Sequence, residues 1–160
     1  MRRSVPVFVC ILLLVGPAFL PALSRPDLDR VIDFSVTLKS LATAADSGEP
    51  IPVGRTVLLS GTVSDVNIVN KDPAGFKVRI EMITGEWIGT EDVKAYSCYV
   101  DFTGAEYFKM FPARPPRTPN RDLVALNSRV IVVGRVVDVA TTPLGAKRVL
   151  LEGAFIRTVE

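Results

Sequence analysis

The sequence predicts an all-β fold, a small closed barrel of five strands with a short helix between the third and fourth. Three observations lead there. The chain is 48% hydrophobic and rich in valine, a composition that favours strands over disorder. Between residues 54 and 160, apolar and polar residues alternate in several runs, the pattern of half-buried strands. Two of the runs, Val57–Val66 and Val130–Val139, carry a glycine and an aspartate at matching positions. A glycine inside a long strand marks a bulge or a sharp bend, and two bending strands among five are what a small closed barrel requires.

The first 24 residues are read as a secretory leader. Arg2 and Arg3 form a positive start, Val5 to Leu20 is an apolar run interrupted by Pro6, Gly16 and Pro17, and Ala22-Leu23-Ser24 supplies small residues at a cleavage site. The expected destination is the periplasm or the exterior. The alternative is an uncleaved leader that anchors the protein to a membrane. Residues 25–53 form an N-terminal extension and residues 54–160 the barrel domain. In the extension, Ile32, Phe34, Val36 and Leu38 alternate as in a strand, while Val31, Phe34, Leu38, Leu41 and Ala45 recur at helical spacing. Both templates fit. The β-branched and aromatic content tips the reading toward a strand followed by a helical turn over Leu41 to Ala45. Ser47-Gly48-Glu49-Pro50 breaks whatever precedes it.

From Arg55 onward the elements separate. The first barrel strand is Val57–Val66, and Lys71 to Gly75 is a turn. The second strand runs from Phe76 to Met82, and Thr84 to Asp92 reads as a loop carrying Gly85, Trp87 and Gly89. Lys94 to Phe102 is the third strand, with Tyr96, Cys98, Val100 and Phe102 on one face and Ser97, Tyr99 and Asp101 on the other. Gly104 to Met110 is a candidate short helix. Pro112 to Pro119 holds four prolines and is an irregular loop. Val130–Val139 and Arg148–Val159 are the fourth and fifth strands, joined by a turn at Thr141 to Gly145.

Gly61-Thr62-Val63, Tyr96 to Phe102, Val133-Gly134-Arg135-Val136 and Val149 to Ile156 together resemble the exported OB-fold proteins of the tRNA-anticodon-like group, over roughly residues 54 to 159. The resemblance implies a five-stranded barrel whose ligands lie across the outer face of strands two and three. It carries a nucleic-acid association that belongs to the fold. The Trp87 loop and the Pro/Arg insertion depart from a minimal barrel.

Composition excludes several chemistries. The chain has no histidine, which removes Ser-His-Asp and Cys-His nucleophile systems and the usual general base near neutral pH. Cys10 lies in the leader, so Cys98 has no partner for a disulfide and no companions for a zinc site. The acidic residues lack calcium-loop spacing, and the glycines lack a phosphate-loop ending. The expectation is a non-enzymatic protein with no cofactor and no metal. The 19 basic residues fall to 17 once Arg2 and Arg3 are removed, equal to the 17 acidic ones. A net charge of zero speaks against binding polyanions through overall charge.

Candidate binding residues fall in three places. Lys77, Arg79 and Tyr99 lie on the outward face of strands two and three and suit a groove that follows a nucleic-acid strand. Glu81 and Asp101 share that face and cancel its charge, which makes an ordinary solvated surface the alternative. Trp87 either stacks on a ligand or folds back over the barrel end. Arg114 and Arg117, with Lys109 and Arg121, stand among prolines that hold a segment extended, presenting cations to an anionic partner or merely keeping a connection soluble. Cys98, on the apolar face, is expected to be a buried structural thiol. The preferred expectation is an exported binding module for a protein, a glycan or an envelope component. The alternative is binding of single-stranded nucleic acid or another polyanion through the strand-two/three face and the arginine loop.

Overall fold

A computed structural model describes residues 25–112, 120 and 122–159, with side chains from Leu28 onward. The leader, Arg114, Arg117 and Arg121 lie outside the described residues. The elements are helix α1 (Arg25–Val31), a two-residue strand β1 (Ile32–Asp33), helix α2 (Leu38–Ser47), strands β2 (Thr56–Asn70), β3 (Lys77–Ile88) and β4 (Asp92–Thr103), a 3-10 turn (Ala105–Tyr107), and strands β5 (Arg129–Thr141) and β6 (Lys147–Thr158). Strands β2 to β6 are the five barrel strands expected from the sequence.

The barrel closes because β2 has two partners. Its first half pairs with β5, from Thr56 opposite Arg135 to Thr62 opposite Arg129. Its second half pairs with β3, from Thr62 opposite Ile83 onward. Gly61 sits at the handover, where an added Cβ would come within 2.9 Å of the Ile83 carbonyl oxygen. Strands β3 and β4 are antiparallel, β4 runs parallel to β6, and β6 is antiparallel to β5. The circuit β2-β3-β4-β6-β5-β2 is that of a five-stranded OB barrel. Gly134 marks a register shift in the β5–β6 pair, as a mid-strand glycine at a bulge should.

The inward residues Val57, Leu59, Val63, Val78, Ile80, Met82, Val100, Val132, Val149 and Leu151 are fully buried. Different elements seal the two barrel ends. Helix α2 plugs one end with Leu38, Leu41, Ala42 and Ala45, and Leu38 reaches toward Gly61 and Met82. At the other end Phe76, Phe102, Tyr107 and Phe111 form an aromatic cluster, with ring centroids 5.0 Å apart for Phe102–Tyr107 and 5.9 Å for Phe102–Phe111. The Tyr107 hydroxyl donates to the Ala154 carbonyl at 2.9 Å. Gly153 lies flat against the Phe102 ring, where a side chain would collide with it.

Several expectations need correction. The segment 38–47 is a helix and the strand before it shrinks to Ile32–Asp33. Its start is fixed by a capping box, in which the Ser40 amide donates to Thr37 Oγ1 and the Thr37 amide to Ser40 Oγ. Gly48, at φ 74°, ends it in a left-handed conformation. The short helix expected between the third and fourth barrel strands is present, as the 3-10 turn. The proposed Thr84–Asp92 loop is mostly strand. Residues Thr84–Ile88 pair with Asp92–Tyr96, so β3 and β4 project past the barrel as a hairpin.

Candidate functional site

Register determines what the β3–β4 ribbon shows to solvent. Lys77 stands opposite Thr103, Arg79 opposite Asp101, Glu81 opposite Tyr99, Ile83 opposite Ser97, Gly85 opposite Ala95 and Trp87 opposite Val93. Successive strand residues alternate sides, so these pairs line one face from the barrel wall to the hairpin tip. Lys77, Arg79 and Tyr99 are brought together as expected. Trp87 joins the same face from within a strand, 71% exposed, and it does not fold back over the barrel end. The Tyr99 and Trp87 rows are six residues apart, roughly 20 Å along the ribbon. Gly85 and Ala95 leave a low floor between the Trp87 and Ile83 rows.

Ion pairing dominates the barrel part of this face. Arg79 grips Asp101 through two bonds, Nε to Oδ1 at 2.6 Å and Nη2 to Oδ2 at 2.8 Å. That bond raises the Arg79 pKa above its usual value, and the Tyr99 ring lies 5.5 Å from the guanidinium carbon. Lys77 Nζ approaches the same carboxylate at 3.8 Å. Glu81 accepts from Ser64 Oγ at 3.2 Å and faces Arg148 Nε at 3.6 Å. Ser97, expected on the solvated face, is only 6% exposed, and its hydroxyl has no hydrogen-bond partner among the described residues.

The opposite face of the hairpin ties it to α2. Lys39 Nζ meets Glu86 Oε2 at 2.6 Å, and the Tyr96 hydroxyl donates to the same oxygen at 3.1 Å. These contacts lower the Glu86 pKa, the Lys39 bond contributing most. Lys39 and Lys94 also lie over the Tyr96 ring. Cys98 is fully enclosed in the barrel, and burial pushes its thiol up to about 12, so it stays protonated and unreactive at neutral pH.

A second surface was missed in the sequence. The outward residues of β5 and β6 include Arg129, Ile131, Val133, Phe155 and Arg157, with Ile131 opposite Arg157 and Val133 opposite Phe155. Arg129, Ile131, Phe155 and Arg157, together with Asn120, Asp122, Leu123, Val124 and Ser128, line an open groove of about 1030 Å³. One signal was available. Val130 to Val133 is apolar at every position, so its outward residues do not form the polar face of a simple amphipathic strand.

No family model and no curated protein matches this chain. Solved structures do show similarity. One is the N-terminal domain of PriB protein from Thermoanaerobacter tencongensis, described as dimeric, at 12% identity and TM-score 0.38, covering 66% of this chain and 96% of that one. Another is the protein PriB from Ralstonia solanacearum, at 10% identity and TM-score 0.38, covering 66% of this chain and 97% of that one. The class that the strand circuit defines is the OB-fold barrel. The expectation of a protein, glycan or envelope partner finds no support among these similarities, and the alternative set beside it is taken up below.

Proposed function

We propose that this protein binds single-stranded nucleic acid along the outward face of the β3–β4 ribbon. The observation that carries the reading is the register placing Lys77, Arg79, Tyr99 and Trp87 on one continuous face. Aromatic side chains accept any base on their π-faces, while cations follow the phosphates, so the binding is expected to tolerate sequence. Asp101 and Glu81 hold the cations of this face, so a phosphate must displace a carboxylate to reach Arg79. This predicts modest affinity resting more on stacking than on charge.

Export to the periplasm or exterior, and kinship with the tRNA-anticodon-like group, belong to the same proposal. The first rests on Arg2, Arg3 and the apolar run to Leu20, the second on the glycine and valine motifs of β2 and β5. Nucleic acid met there would be extracellular or released material. The reading remains that of a non-enzymatic binding module.

Trp87 is the sole tryptophan, so intrinsic fluorescence reads this face directly. Titration with a short oligo-deoxythymidine should quench the emission, and salt should weaken the effect only shallowly. Unchanged Trp87 emission at saturating oligonucleotide would sink the reading.

A further inference from the structure

We infer that the β5–β6 groove is a second nucleic-acid contact, taking a base on Phe155 and its phosphate between Arg129 and Arg157. It shares the ligand class proposed above but none of the residues. Three observations converge on it.

The first is free charge. Neither Arg129 nor Arg157 has an ion pair or a side-chain hydrogen bond among the described residues. Their register partners explain this. Arg129 stands opposite Thr62 on β2, and Arg157 opposite Ile131 on β5, so no carboxylate is built in beside either. Among the described residues Asp122 is the one acid lining the groove, which sets two cations against one anion there.

The second is spacing. Phe155 and Arg157 are two residues apart on the outward side of β6, about 7 Å along the strand. Arg129 is the diagonal neighbour of Arg157 across the β5–β6 pair, about 7 to 8 Å away. A nucleotide separates its base from its phosphate by a comparable length, so one ligand can meet the ring and both guanidinium groups together. Arginine forks match phosphate oxygens in geometry as well as charge.

The third is shape and lining. Phe155 is 49% exposed although it is a large apolar ring, and Ile131 provides an apolar floor beside it. Asn120 and Ser128 also line the groove and offer polar groups to a base edge or sugar. A volume of about 1030 Å³ exceeds what one nucleotide needs, which fits an open site crossed by a strand.

The test is isotope-labelled full-length protein titrated with short oligo-deoxythymidine, followed by amide shifts together with Trp87 emission. Saturable shifts at Phe155 and Arg157 support the second contact. Inorganic phosphate, used as a control, should shift Arg129 and Arg157 but leave Phe155 unmoved. Equal competition by phosphate would reduce the site to a simple anion site and overturn the base contact. The Arg129→Gln/Arg157→Gln variant should lose about tenfold in affinity, with the log–log salt slope falling by about 1.4. Lysine at both positions should retain most of the slope. Trp87 quenching without groove shifts overturns this inference and leaves the ribbon reading standing. Groove shifts without quenching do the reverse. If neither responds, both fall.

Discussion

Two regions of one barrel carry cations in opposite states of pairing. On the β3–β4 wall, Arg79 and Lys77 converge on Asp101, and Arg148 faces Glu81. At the groove end of the β5–β6 wall, Arg129 and Arg157 face threonine and isoleucine across the sheet, whereas Arg135 further along β5 is paired with Glu152 at 2.6 Å. The difference arises in the register. Directly opposed side chains in an antiparallel pair stand about 5 Å apart, so an arginine placed opposite an aspartate is neutralised as the sheet forms. A cation count therefore does not identify an electrostatic binding surface. What matters is whether the cross-strand neighbour already supplies the anion.

The largest expected effect breaks both walls at once. Gly153→Val drives a side chain into the Phe102 ring, at the bulge between the halves of β6. It should cost about 3 kcal/mol of stability, read as a fall in the denaturant midpoint. Next comes Trp87→Ala. Its binding cost for oligo-deoxythymidine should be about 1 to 3 kcal/mol, while the unfolding midpoint stays within about 0.5 kcal/mol of wild type. Loss of stability without loss of binding would make Trp87 a structural residue.

Asp101→Asn sharpens the contrast by giving the β3–β4 wall the unpaired state of its counterpart. Freed Arg79 and Lys77 should steepen the salt slope of binding by up to about 1.4 and raise low-salt affinity several-fold. Stability should fall by about 1 kcal/mol or less, because the pair is partly solvated. An unchanged slope would mean that phosphates never reach Arg79.

The smallest effect concerns pH. The Glu86 pKa is depressed in the folded state, so its tie to Lys39 contributes fully above the ordinary carboxylate range and is lost as pH falls below that range, through the lowered folded-state value. Protection of the α2 amides, taken relative to intrinsic exchange at each pH, should fall on acidification, and Glu86→Gln should remove that dependence. Both groups are solvent-exposed, so the shift in overall stability should be slight.

The barrel was legible where alternation is strict. Val78, Ile80 and Met82 against Lys77, Arg79 and Glu81 define β3, and Tyr96 to Phe102 defines β4 in the same way. Helix α2 was ambiguous because Phe34 and Leu38 satisfy both periods, and the deciding features, the Thr37–Ser40 box and Gly48, are short polar signals. Gly85 and Gly89 made the hairpin look like a loop. Only Gly89 has a positive φ, at 67°, whereas Gly85 continues the strand with Val93 close by. Arg79, Lys77 and Tyr99 could be placed on one face by counting alternate residues. Their capture by Asp101 needed the register. The groove needed the fold itself, since Arg129 and Arg157 meet only when β5 and β6 pair.

The position of β6 has a consequence for how the molecule is made. It is the last barrel strand in chain order, yet it lies between β4 and β5 and bonds to both. Until its residues emerge, β4 keeps an open edge and β5 is held by β2 alone. The β2–β5 pairing itself joins residues as far apart as Thr56 and Arg135, and such distant contacts slow folding. A chain wired in this way can complete its barrel only after its last strand has been made.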